Sequence, residues 1–170
     1  KLIKNRGGLH NRIRHRIYLK PFSLKETEEY LQSRSVHWDR YQILQGYMLT
    51  GGVPFYLKML EPQQSFAQNV DRLCFSDTGA LKMEFDELYN AIFPGAESYV
   101  EVVRALADNK SGLTRTEIST KTKISGAYLT RILTNLERCD FIDKTNLFGN
   151  RRTDAVYRLV DFYTLFYFKF

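Results

Sequence analysis

Two adjacent glycines followed by Val-Pro, in Thr50-Gly51-Gly52-Val53-Pro54-Phe55-Tyr56-Leu57, leave the backbone few options at that point. The segments on either side have helical spacing of apolar residues. Gly51 and Gly52 can take positive φ, which ends a helix and lets another group approach the backbone closely. Pro54 has no N–H to lose in a helix's first turn. The stretch therefore predicts a helix–turn–helix corner, with Phe55, Tyr56 and Leu57 forming an apolar surface beside it. Turn chemistry by itself asks for no ligand there.

The elements around the corner can be read from caps and periodicity. Ser23-Leu24-Lys25-Glu26 is a capping box, in which the Ser side chain accepts from the N–H three residues on and Glu26 reaches back. It opens a helix to about Ser33 with Leu24, Thr27, Tyr30 and Leu31 on one face. A second helix is expected from about Asp39 to Met48, with Ile43, Leu44 and Tyr47 inward. After the corner a short helix reaches Leu60, and Pro62 breaks it. Residues 64–75 and 81–93 give two more amphipathic helices. Pro94-Gly95 separates this bundle from the second half of the chain. Upstream, Arg16-Ile17-Tyr18-Leu19 alternates like a short strand stopped by Pro21. A lone strand is unstable in water, so it either pairs with a sheet elsewhere or packs as an extended strap.

The second half has a different rhythm. Tyr99–Asp108 reads as a helix with Val102, Val103 and Leu106 inward. Thr114-Arg115-Thr116-Glu117 is a second capping box opening a short helix around Ile118. Ser125 is expected to cap a third helix, with Leu129, Ile132, Leu133 and Leu136 at core spacing. Phe141–Lys144 and Ala155–Leu159 are strand-like and flank the polar turn Gly149–Asp154. Three helices and then a hairpin is the order of a winged helix-turn-helix. The aromatic stretch Phe162–Phe170 is too apolar to face water, so it is a helix packed on the bundle or a cover for another surface.

These features together resemble a known family. Thr50–Leu57 looks like the Gly-Gly-x-Pro corner in the helical lid of the prokaryotic archaeal-type AAA+/STAND-like ATPases. Arg6-Gly7-Gly8-Leu9-His10-Asn11-Arg12-Ile13, followed by Ile17–Glu26, resembles that family's passage from the ATPase core into the lid. Tyr157–Tyr163 with Phe166 resembles the segment after its winged helix. The three stretches lie in the family's order and cover most of the chain. The resemblance implies a mainly α fold: a helical lid bundle, then a winged helix-turn-helix with a small β-hairpin wing. It assigns residues 1–22 to the edge of an ATPase core, 23–94 to the lid, 95–161 to the winged helix and 162–170 to the start of a truncated segment.

The resemblance also implies a site. Gly51, Gly52 and Pro54 would pack against a nucleotide base, with Phe55 or Tyr56 nearby. Arg12 is placed where AAA+ proteins carry an arginine finger or sensor, because a guanidinium stabilises charge on a transferring phosphoryl group. Arg6 is the rival, and for each arginine taken singly a solvated basic strip is the better account. ATP and Mg²⁺ would act in the intact protein, with neither held tightly by this chain alone. No Gly-x-x-x-x-Gly-Lys-Ser/Thr loop occurs, nor an apolar strand ending in paired acids, so the phosphate-holding parts are expected in a P-loop core preceding residue 1. The chain opens on Lys1-Leu2-Ile3 and reads as a fragment cut at both ends.

Charge narrows the partners. The formal net charge of +6 is uneven. Residues 1–20 carry seven Lys/Arg and no acid, residues 21–97 six basic against eleven acidic, and residues 98–161 eleven against eight. The basic excess belongs chiefly to the N-terminal strip, so a high pI is no argument that the second half binds DNA. Candidate DNA contacts are Lys121, Lys123, Ser125, Tyr128, Arg131 and Asn135 around the third helix, and Arg151 and Arg152 in the wing. The alternatives are a non-enzymatic winged-helix DNA-binding regulator and a protein-docking adaptor. His10, His15 and His37 have no ligand partners at metal spacing, so no metal site is expected. Cys74 and Cys139 are unpatterned, as in a reducing cytoplasm. No apolar run approaches the ~20 residues of a membrane span. Glu26, Glu28 and Glu29 read as a cap and a solvated face, and no Ser/His/Asp, Cys/His or paired-carboxylate set stands out.

Overall fold

The computed structural model describes residues 18–146 and 155–170. Arg6, Arg12, Arg16 and Ile17, and the turn with Arg151 and Arg152, lie outside them. The architecture is mainly helical with one small antiparallel sheet. In chain order come α1 (Leu24–Ser33), α2 (Arg40–Thr50), α3 (Pro54–Lys58), α4 (Phe66–Val70), a π-helical turn (Asp71–Phe75) and α5 (Ala80–Ile92). The second half holds α6 (Ala96–Ala107), β1 (Leu113–Thr114), α7 (Arg115–Thr122), α8 (Gly126–Arg138), β2 (Ile142–Asn146), β3 (Ala155–Leu159) and α9 (Phe162–Lys169). The strand order is β1-β3-β2. Leu113 stands opposite Tyr157, and Ile142 opposite Leu159.

Both expected capping boxes form. The Ser23 hydroxyl accepts the Glu26 N–H and the Glu26 carboxylate accepts the Ser23 N–H at 2.7 Å. Thr114 and Glu117 repeat the arrangement. Asp39 with Gln42, and Ser65 with Gln68, add two more boxes that start α2 and α4. Ser125 departs from expectation: it stands at the N-cap of α8, but its side chain makes no cap hydrogen bond. Gly126 beside it turns left-handed at φ 60°, which takes the first turn out of the hydroxyl's reach.

Two core assignments change, and one expected helix is interrupted. Leu24 and Leu44 are exposed rather than inward. The buried face of α2 is Ile43, Gly46, Leu49 and Thr50. Gly46 makes room for the Trp38 ring, which would lie 3.0 Å from a Cβ there, and the Thr50 hydroxyl donates to the Gly46 carbonyl at 2.8 Å. Residues 64–75 are not one α-helix. Asn69 is buried and bonds the backbone of Glu61, Gln64 and Ser65. Arg72 reaches the Met59 carbonyl at 2.8 Å, and the chain widens to a Ser76 N–H to Asp71 carbonyl bond at 2.9 Å.

Tyr18 to Phe22 form no strand. They run as an extended strap whose Phe22 N–H donates to the Gly52 carbonyl at 2.8 Å. The aromatic stretch is a helix packed on the bundle: Tyr167 stacks on Phe85 at 3.8 Å, the Tyr163 hydroxyl donates to the Leu81 carbonyl, and Tyr89 bonds Thr164 at 3.2 Å. Pro94-Gly95 turns the chain, yet the hydrophobic core runs on past it. Phe93 stacks on Tyr99 at 4.2 Å, and Phe141 sets its ring edge against Tyr89 and Phe93. The buried side chains of both halves form one cluster.

Candidate functional site

α2 ends at Gly51, left-handed at φ 61°, and its N–H donates to the Tyr47 carbonyl at 2.8 Å. Gly52 is next, at φ 70°. The strap lies directly against it, so a Cβ on Gly52 would stand 2.1 Å from the Phe22 carbonyl oxygen. Val53 occupies the N-cap of α3 without a side-chain bond, and Pro54 sits in its first turn. The two aromatic residues after Pro54 part company. Phe55 is 57% exposed, whereas Tyr56 is buried, with its ring 5.0 Å from Tyr163 and its hydroxyl donating to Glu84 at 3.2 Å. Burial and the Glu84 carboxylate push the Tyr56 hydroxyl far up. Tyr56 is therefore a core residue, and Phe55 is the aromatic ring open to solvent.

The corner opens onto a cleft of about 700 Å³. One wall is the strap, the start of α1 with Ser23 and Glu26, and the corner itself through Tyr47, Gly51 and Val53. The other wall comes from the far end of the chain: Asp140 between α8 and β2, Val160 and Asp161 between β3 and α9, and Phe162 at the start of α9. The cleft carries carboxylates at Glu26, Asp140 and Asp161 against Lys20. Their electrostatics differ. The Ser23 backbone and hydroxyl hold Glu26 below the usual carboxylate range. Burial pushes Asp161 up, opposed by Thr164, whose N–H it accepts at 2.8 Å as the cap of α9. Asp140 accepts from the Tyr18 hydroxyl, and that bond raises the phenol. The sequence singled out Val160, Asp161 and Phe162 only as part of the segment after the winged helix; that they face the corner follows from the fold.

The candidate nucleic-acid residues differ in exposure. Lys121 and Lys123 are exposed at the end of α7, with Lys123 left-handed at φ 58°. Arg131 is exposed on α8, its guanidinium 4.9 Å from the centre of the half-buried Tyr128 ring. The Asn135 amide points inward and donates to the Tyr99 hydroxyl at 2.8 Å, so it joins α8 to α6 and is not free to read a base. Ser125 is exposed beside Lys123. Two arginines not singled out by sequence brace the unit. Arg115 ties α7 to the Gly126 carbonyl at 2.8 Å, and Arg158 of β3 reaches the Ser111 carbonyl at 3.1 Å.

Among the described residues no group of His, Cys, Asp or Glu is arranged to hold a metal ion. No helix there is long and apolar enough to cross a membrane.

Compared with known proteins, the chain matches no family model and no curated protein. Among solved structures it is similar to a Walker-type ATPase of Pyrococcus abyssi, with a TM-score of 0.58 and 20% identity. The likeness takes in 99% of this chain and 48% of that one, so the chain spans about half the length of the protein it matches. At that identity the likeness is one of fold.

Proposed function

We propose that this chain is the lid and winged-helix portion of an ATP-binding ATPase, related to the archaeal-type AAA+/STAND-like enzymes, and that it couples nucleotide state to the binding of DNA or protein. The observation that carries the reading is the fold likeness, over nearly the whole chain, to a Walker-type ATPase. The glycine corner facing a cleft adds to it. In this reading residues 23–94 are the lid, 95–161 the winged helix, 1–22 the edge of the ATPase core and 162–170 the start of a further segment. A cytoplasmic protein is part of the same reading, in keeping with the free thiols of Cys74 and Cys139.

The chemistry of the cleft decides which end of ATP suits it. Three carboxylates against one lysine repel a triphosphate. They suit a base, whose exocyclic amine donates hydrogen bonds, and Phe22, Val53 and Phe162 offer a ring apolar surface. The phosphates and Mg²⁺ then fall to a P-loop core, to which Arg12 or Arg6 would add a guanidinium. Gly51 lines the cleft, Gly52 holds the strap that walls it, and Pro54 and the exposed Phe55 lie just beyond its lining.

The test uses the gene-length protein. ATP binding and turnover are expected, with Pro54→Ala weakening binding about tenfold, or ~1.4 kcal/mol. Arg12→Ala is expected to lower turnover by about a thousandfold with binding retained, the signature of a finger. Absence of nucleotide binding would overturn the reading and leave the regulator or adaptor. For the partner, Lys121, Lys123 and Arg131 favour DNA. Three phosphate contacts give a slope of log K on log salt of about −3. A partner held without salt dependence would instead be a protein docked on the same module.

A further inference from the structure

We propose that Phe162 is the positioning residue of the glycine corner, and that occupancy of the cleft reaches the sheet half through Phe162 and Asp161 rather than through the Pro94-Gly95 turn. The proposal rests on the nucleotide reading above for its ligand, but its geometry stands apart from it. The Phe162 ring meets the Tyr47 ring edge-on at 5.6 Å. Tyr47 is the residue whose carbonyl ends α2 by accepting the Gly51 N–H. A Cβ on Gly51 would lie 3.9 Å from the Phe162 Cβ, so the first residue of α9 is in van der Waals range of the corner. On its other side, the Val160 and Asp161 N–H groups both donate to the Phe141 carbonyl, at 2.9 and 3.3 Å. The start of α9 is thus pinned to the sheet half behind it and pressed on the corner in front.

The strap makes a second crossing of the same cleft. Its Phe22 is bonded to Gly52, and its Tyr18 hydroxyl to Asp140, the residue before Phe141. A ligand entering the cleft touches both walls at once. At Pro94-Gly95 the chain also passes from one half to the other, but there the contact is the closed Phe93–Tyr99 stack, which offers a ligand no access.

Amide hydrogen exchange tests this in two arms. In the 170-residue chain without nucleotide, Phe162→Ala is expected to speed exchange at the Gly51 and Phe22 N–H groups about two- to tenfold, the value of one aromatic pair. Phe162→Tyr, which keeps the ring, should restore it. Unchanged exchange at those two amides overturns the proposal. Phe162→Leu, which keeps the position apolar but removes the ring edge against Tyr47, gives the same readout if the alanine variant fails to fold. In the gene-length protein, ATP is expected to protect the β2 and β3 amides. Phe162→Ala should abolish that protection even at ATP concentrations that saturate the variant, while Pro94→Ala leaves it intact. Protection that survives Phe162→Ala, or that is lost in Pro94→Ala, overturns the route. If wild type binds no ATP, the nucleotide reading fails and the first arm alone decides the positioning role.

Discussion

A methyl group on Gly51 would make ordinary contact with Phe162, whereas one on Gly52 would collide with the Phe22 carbonyl. Both residues are left-handed, but only Gly52 is also required to be bare. Gly126 offers the control, being left-handed at φ 60° with open space around it. Gly126→Ala is expected to lose about 1–2 kcal/mol, the cost of left-handed backbone alone. Gly52→Ala should lose about 2–4 kcal/mol, because the strap's hydrogen bond goes as well. Urea unfolding of the two variants checks the difference, and equal losses would refute the strap contact. Asp161 gives a pH signature. Its folded carboxyl is pushed above the ordinary range by burial, so the stability it contributes is full at low pH and is lost as pH rises through the raised value. Asp161→Asn keeps an acceptor for the Thr164 N–H and does not titrate. The variant should therefore gain stability relative to wild type as pH rises from the ordinary carboxylate range to neutrality. A constant difference across that window would contradict the burial argument. A turn and a close approach at Gly-Gly were legible in sequence; that Phe22 makes the approach, and that Asp161 is buried at the cap of α9, were not.

The helices show where sequence reading works and where it stops. Capping boxes at Ser23 and Thr114 are local chemistry, and they form as read. Core faces are legible when they are built of large apolar residues, as on α8 with Leu129, Ile132, Leu133 and Leu136. On α2 the buried face includes Gly46 and Thr50, one holding a place for Trp38 and the other bonding its own helix. Hydropathy gives such positions no weight, and Leu44 took the place that belonged to them. β1 is two residues long and exists through pairing with β3, which a local window cannot contain. On α8 the same distinction separates binding from folding. Asn135→Ala removes the bond to Tyr99 and is expected to cost about 1 kcal/mol in stability, with DNA affinity unchanged. Arg131→Ala should leave stability within about 0.5 kcal/mol and, in the proposed DNA-binding role, weaken the complex. Thermal melts and a DNA titration at fixed salt separate the two, and the reverse pattern would make Asn135 a reading residue after all.

Across the whole molecule, one buried cluster spans both halves. Trp38, the chain's single tryptophan, sits in the helical half. Its fluorescence and the far-ultraviolet circular dichroism of the whole chain are expected to report one coincident unfolding transition in urea. Two transitions would mean that the halves fold as separate units. The candidate cleft belongs to this scale too. Sequence pointed to the corner; two of the cleft's three carboxylates, Asp140 and Asp161, and the Phe162 ring facing it come from more than eighty positions later. The placement of α9 has a consequence for how the chain is made. Tyr163 bonds the Leu81 carbonyl, and Tyr167 covers Phe85. The helical half therefore cannot close while residues 162–169 are still within the ribosome. Until then α5 shows the aromatic face meant for α9, so the nascent chain presents a sticky surface while the whole sheet half is being made, and depends on chaperones more than the size of its helical half suggests.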